Sequence, residues 1–120
     1  MLLDSNIIIY SFQSQFHFLQ EFMQNNEASC SAISQVETLG YFQISKDENH
    51  YLQECFKTIT VCPITNTIIN TAIALRQQKS MSVGDAIIAA TALEYTQTLV
   101  TRNTSDFEWV EGLKVLNPFD

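Results

Sequence analysis

The segment between Gly84 and Tyr95 constrains the fold most. It runs Asp85-Ala86-Ile87-Ile88-Ala89-Ala90-Thr91-Ala92-Leu93 and carries no charge between Asp85 and Glu94. Ala-rich and unbroken by Gly or Pro, it reads as a helix. A helix that is apolar on every face belongs in the interior. The preceding segment, Thr65 to Lys79, keeps a 3.6-residue period through Ile68, Ile69, Ala72, Ile73 and Leu75 and predicts a second helix.

Strand-like runs are interleaved with such helices. Residues 1–3 with the run Ile7–Tyr10 predict a short buried strand turning into a helix. Phe16, Leu19, Phe22 and Met23 predict an amphipathic helix over 14–25. Ala28 to Ile33 reads as a strand. A helix follows from Ser34 through Ile44, and another covers about 48–57. Thr58 to Ile64 is β-branched and reads as a strand, with Pro63 near its end. Short strands are predicted at 98–101 and 113–116. Strands alternating with helices predict an α/β domain with a central, mainly parallel sheet flanked by helices.

With 120 residues, three glycines and two prolines, the chain reads as one domain over 1–120, without linker or repeat. Cys30, Cys55 and Cys62 are odd in number, lie in apolar stretches and lack metal-ligand spacing, so buried reduced thiols are expected. No apolar run is long enough to span a bilayer, and the opening residues lack a basic n-region. A cytoplasmic protein without membrane attachment is therefore expected. The net charge of −7 disfavours a passive nucleic-acid binder. It is compatible with a nuclease whose acids gather around cations.

Four acids stand where helices and strands meet: Asp4 after the first strand, Glu37 after the second at the start of a helix, Asp85 opening the apolar helix, and Asp106 beyond the strand at 98–101. In a parallel sheet the strand C-termini share one edge, so residues distant in sequence converge there. Clustered carboxylates repel, and a hard divalent cation such as Mg²⁺ or Mn²⁺ relieves the repulsion. A purely structural account competes. Ser34-x-x-Glu37, Ser82-x-x-Asp85 and Asn103-x-x-Asp106 all have capping-box spacing. Asp4 lacks that explanation, because it lies between Leu3 and an almost continuous apolar run.

These residues resemble the PIN domain, and within it the VapC-type toxins of bacterial toxin–antitoxin pairs. The opening Leu2-Leu3-Asp4-Ser5-Asn6 is similar to the family's first motif, and Ser31-Ala-Ile-Ser34-x-x-Glu37 to its second. Asp85 to Leu93 is similar to the third, Leu99-Val-Thr101-Arg-Asn103-x-x-Asp106-Phe107 to the fourth, and Leu113 to Phe119 to the usual ending. Gly84 departs from the pattern, standing where Pro commonly precedes the third acid. The glycine often seen before the late strand is also missing from Tyr95–Thr98.

The resemblance implies a PIN-like three-layer fold and a Mg²⁺- or Mn²⁺-dependent endoribonuclease. Asp4, Asp85 and Asp106 would bind metal directly or through water, and Glu37 through a water or a second ion. Asn103 competes with Asp106 as the nearer ligand. Ser5 and Asn6 would orient Asp4 or meet the phosphate. Arg76, Lys79 and Arg102 are candidates for RNA phosphates, whereas His17 and His50 are expected on helix surfaces.

An antitoxin partner and a homodimer are implied as well. The rings of Phe12, Phe16, Phe18, Phe22, Tyr41 and Phe42 are more than a chain of this size is expected to bury alone. Three other readings compete. A receiver-like domain wants adjacent early acids. A haloacid-dehalogenase-type phosphatase wants Asp-x-Asp, where this chain has Asp4-Ser5-Asn6. A catalytically silent PIN scaffold would bind only protein.

Overall fold

The computed structural model describes all residues from Met1 to Asp120. Five short strands form one sheet: β1 (Leu2–Leu3), β2 (Ser29–Ser31), β3 (Thr60–Cys62), β4 (Leu99–Val100) and β5 (Val115–Leu116). They lie in the order β3-β2-β1-β4-β5, and every pairing is parallel. The register sets Leu2 against both Ser29 and Leu99, Leu3 against Val100, and Val100 against Leu116.

Six helices cover the sheet: α1 (Ser5–Phe12), α2 (Phe18–Asn25), α3 (Ile33–Leu39), α4 (Lys46–Thr58), α5 (Asn66–Gln78) and α6 (Val83–Glu94). Side chains alternate between the two faces of a strand, and that alternation divides the core. Leu2, Leu99 and Cys62 pack with Leu75 of α5, with Ile88, Ala89 and Ala92 of α6, and with Phe107. Leu3, Val100 and Cys30 pack with Ile7 and Ile8 of α1, Leu19 and Met23 of α2, and Leu52 of α4. The expected three-layer arrangement, with a central sheet between helical layers, is the one observed.

The apolar helix is interior as predicted, with Ala86 and every residue from Ile88 to Ala92 buried. Its one buried hydroxyl, Thr91, donates to the Ile87 carbonyl at 2.6 Å and so costs little. No buried side-chain nitrogen or oxygen lacks a partner.

Several boundaries differ from expectation. Ile7–Tyr10 belong wholly to α1. The helix read through Ile44 stops at Leu39, where the Gly40 amide closes onto Val36 O and Thr38 O, and α4 restarts from the Ser45 cap. Each strand is shorter than the segment predicted for it, and the first and last are trimmed only at their N-terminal ends.

No helix is long and apolar enough to cross a membrane. All three cysteines are unbridged, Cys30 and Cys62 buried and Cys55 partly so. Burial pushes the Cys30 thiol up to about 12, so it stays protonated.

The aromatic residues are better housed than their number suggests. Arg102 lies over three of them, 4.2 Å from the Phe119 centroid, 5.3 Å from Tyr10 and 5.5 Å from Phe16, a cation–π cluster that ties the C-terminus to α1. Phe12 packs on Tyr51, and Phe22 against the core. Only Phe18, Tyr41 and Phe42 of the six rings remain exposed.

Candidate metal centre

The sheet order makes β1 the point from which the chain leaves in both directions, to β2 and β3 on one side and to β4 and β5 on the other. Crevices open at the strand C-termini of such a switch point. Asp4 sits there directly after β1, and Thr101 directly after β4. Asp4 occupies the N-cap position of α1 but makes no capping hydrogen bond. Its Oδ2 instead accepts from Thr101 Oγ1 at 2.8 Å. Thr101 is fully buried, and its oxygen also accepts from the Asn103 amide at 3.0 Å. One hydroxyl therefore ties the first acid to the loop that carries the fourth.

Asp4 is only 5% exposed. Burial raises its carboxyl from 3.8 to about 6. The Thr101 hydrogen bond opposes that rise, and the charges of Asp85 and Glu37 add to it. Asp85 is also pushed up, first by burial and then by Glu37 and Asp106, against the hydrogen bond from Ser82. The four acids are thus electrostatic neighbours. None has a basic partner, since the one ion pair in the structure is Lys57–Glu54.

Each acid is reached by a different route. α6 leads into the parallel strand β4, so it begins at the edge where the strands end and places Asp85 in its first turn. The Ser82 hydroxyl accepts from the Asp85 amide at 3.0 Å, which is one half of the expected capping box.

The other two boxes do not form. Ser34 lies inside α3, and Glu37 is in its second half rather than its start. The Glu37 side chain reaches back to Ser5, whose hydroxyl donates to Oε1 at 2.7 Å and stands 2.8 Å from Ser34 Oγ. Ser5 therefore holds Glu37 through its side chain, and favours ionised Asp4 only through its backbone. Asn103 caps the short 3-10 turn Thr104–Asp106 without a side-chain bond, and Asp106 is exposed. Asn6 is exposed too.

Gly84 explains the lie of Glu37. A Cβ at Gly84 would come within 2.9 Å of Glu37 Cδ and 3.3 Å of Oε1, and closer still to Oε2. The carboxylate rests on the bare Cα of the helix that carries Asp85.

As placed, no three His, Cys, Asp or Glu side chains are grouped tightly enough to hold one ion. Asp85 and Asp106 share one small cavity, while Asp4 and Glu37 are coupled to Asp85 through their charges rather than meeting it at a point. The donor set nonetheless fits a hard divalent cation. It is all oxygen, comes from four separate elements, and includes a buried carboxylate with no cation beside it.

The expected cations divide. Arg76 Nε donates to the Met81 carbonyl, and Arg102 is held by its rings. Lys79 lines a cavity of about 200 Å³ together with Asp85, Asp106 and Trp109. His17 and His50 are on the surface as expected. The largest cavity, about 560 Å³ between α2 and α4, is lined by Met23, Tyr51, Cys55 and Ile59 and none of the four acids.

A sequence profile of the PIN domain matches residues 1–113. The chain belongs to the PIN domain family. Solved structures agree with that membership. A toxin–antitoxin complex from Klebsiella pneumoniae contains a chain 28% identical, with a TM-score of 0.81, covering 99% of this chain and 98% of the other. VapBC2 from Rickettsia felis, bound to a DNA fragment from its promoter, matches at 19% identity and TM-score 0.80, over 97% and 96% of the two chains. VapBC-1 from nontypeable Haemophilus influenzae matches at 20% and 0.80, over 99% and 98%. No curated protein sequence is a match. In this PIN domain the residues that sequence alone did not assign are Thr101, Gly84 and Trp109. The hydroxyl partner of Glu37 is Ser5, 32 residues away, and not the Ser34 that capping-box spacing indicates.

Proposed function

We propose that this PIN domain is a metal-dependent endoribonuclease, the toxin of a toxin–antitoxin pair, with Asp4, Glu37, Asp85 and Asp106 holding Mg²⁺ or Mn²⁺. The observation that carries the reading is Asp4. It is a buried acid raised to about 6 by burial and by its acidic neighbours, at the switch point of a parallel sheet, with no basic residue to neutralise it. Such a carboxylate is costly unless a cation accompanies it.

A bound divalent ion supplies activated water and stabilises charge on the phosphate and the leaving oxygen. The chain's own residues supply the rest. Thr101 fixes the orientation of Asp4, and Ser5 with Gly84 fixes that of Glu37. The Ser82 cap holds the first turn that presents Asp85. Asp106 rides on the short turn Thr104–Asp106 and is exposed.

Purified protein incubated with total RNA is expected to cleave it in Mg²⁺ and not in EDTA. Cleavage that survives EDTA would sink the metal mechanism, and no cleavage under any condition would favour a PIN scaffold that only binds protein.

The partners belong to the same reading. A chain 28% identical to this one occurs in a toxin–antitoxin complex, which supports an antitoxin for this chain. Val36, Tyr41 and Phe42 are exposed at the end of α3 and beyond it. Ile69, Ile73 and Val83 line an open groove of about 450 Å³ between α5 and α6. Apolar surface of this kind favours association, so we also propose a cytoplasmic homodimer. Light scattering at micromolar concentration is expected to give twice the 13.6 kDa chain mass, and the product of the adjacent gene is expected to co-purify. A strict monomer would remove the dimer, and failure to co-purify would remove the antitoxin.

A further inference from the structure

Beside the acids lies an aromatic residue that the nuclease reading leaves unused. Trp109, the chain's one tryptophan, packs partly against the core cluster around Phe107 and remains half-exposed. Its Nε1 donates to the Asp106 carbonyl at 3.0 Å, which pins the indole to the turn bearing the fourth acid. Lys79 Nζ stands over the ring, 5.7 Å from the centroid. Lys79 and Trp109 share the cavity of about 200 Å³ with Met81, Ser105 and the carboxylates Asp85 and Asp106. That volume lies below the roughly 300–1,000 Å³ of sites for whole drug-sized ligands. It suits one planar group rather than an extended molecule.

Lys79 is singular among the six basic residues. Lys57 is paired with Glu54, Arg76 is bonded to a carbonyl, Arg102 is caged by rings, and Lys46 and Lys114 do not line this cavity. It follows the last residue of α5 in extended backbone and is exposed, so its ammonium is free to leave the ring. An aromatic face and a mobile cation side by side are the two parts with which proteins hold single strands. The ring stacks a base, and the cation meets a phosphate.

We propose that Trp109 and Lys79 form a nucleotide subsite flanking the acids. An unpaired base would stack on the indole, displacing Lys79 to the adjoining phosphate. The proposal rests on the nuclease reading and deepens it: the substrate is single-stranded where it meets the protein. A duplex keeps its bases stacked on one another and has no free face for the ring.

Because Trp109 is the only tryptophan, its fluorescence reports the subsite directly. The full-length protein in Mg²⁺ would be titrated with an eight-nucleotide single-stranded DNA carrying a distant fluorescent label, and with the same sequence as a duplex. Label anisotropy would follow binding, and tryptophan emission would follow stacking. The single strand is expected to quench the emission saturably, in step with anisotropy, and the duplex is not. Trp109→Ala is expected to weaken binding at least about fivefold, the lower end of what base–aromatic stacking supplies. Trp109→Phe, which keeps a ring and the packing, should stay within about twofold of wild type. Lys79→Gln should weaken binding and flatten its salt dependence.

Binding without quenching, no binding at all, or equal quenching by the duplex would each overturn the subsite. RNA cleavage with an unchanged KM in Trp109→Ala would overturn it while leaving the nuclease reading intact. A wild type that cleaves no RNA but is quenched by the single strand would do the reverse.

Discussion

Replacing Asp4 by Asn is expected to lower RNA cleavage by about a thousandfold, roughly 4 kcal/mol of transition-state stabilisation, while raising the melting temperature of the metal-free protein at pH 7. The two signs come from one cause. Burial and the charges of Asp85 and Glu37 move the Asp4 carboxyl from 3.8 to about 6, a difference worth about 3 kcal/mol against the ionised group. An acid whose folded pKa lies above its unfolded one binds its proton more tightly in the folded state. The metal-free protein is therefore penalised at neutral pH and gains stability as pH falls from about 6 toward 3.8.

Asparagine removes the penalty and can still accept from Thr101. The advantage of Asp4→Asn over wild type is then an upper limit of about 3 kcal/mol at pH 7, and it should shrink to about 0.5 kcal/mol near pH 4. Added Mg²⁺ should restore wild type by mass action, by about 2.7 kcal/mol at one hundred times Kd, and the variant much less. Thermal melts of both proteins at pH 7 and pH 4, in EDTA and in Mg²⁺, decide the matter. A variant that melts lower at neutral pH and answers Mg²⁺ as wild type does would reduce Asp4 to a structural residue.

The same contrast separates what the sequence discloses from what it hides. Asp4 was legible because a charge among apolar residues needs a reason, and that reason is local. The burial of α6 was legible because nine consecutive residues after Gly84 contain one acid and no other charge. Capping spacing was only a partial guide. Ser82 caps as expected, yet the identical spacing at Ser34 falls within a helix that starts earlier, and there the serine faces Ser5. Spacing records which residues can reach one another, not where a helix begins.

Thr101 lies within a recognisable motif, but the sequence alone gives it no role. Its partner Asp4 lies 97 residues away and is reached only because β1 and β4 pair in register. Trp109 was hidden for a similar reason. An indole near the C-terminus has meaning only once α5 brings Lys79 over it.

Gly84 gives the sharpest test of how the site is assembled, because its two possible roles predict the same stability but different activities. The position is the second residue of α6, in helical backbone without positive φ, where alanine is accepted. If the glycine served only the helix, Gly84→Ala would be neutral or helpful. Alanine is the better helix former by up to about 1 kcal/mol and restricts the unfolded chain. In this structure the atoms nearest the added Cβ are side-chain atoms. It meets the Glu37 carboxylate at the end of a flexible side chain, which can swing away cheaply for the fold. Swinging away breaks the bond from Ser5 and takes the carboxylate out from between Asp4 and Asp85, whose shifts both register it.

Gly84→Ala is therefore expected to melt at or above the wild-type temperature and yet cleave RNA about 10–100-fold more slowly, the usual loss when a group that orients a metal ligand is disturbed. The effect should be carried entirely by Glu37. In a Glu37→Ala background, Gly84→Ala should cost nothing further in activity, because the two substitutions act on one interaction. Full additivity of the two losses would show that Gly84 acts through α6 or Asp85 instead. Unchanged activity in the single variant would show that the resting place of Glu37 does not matter to the reaction.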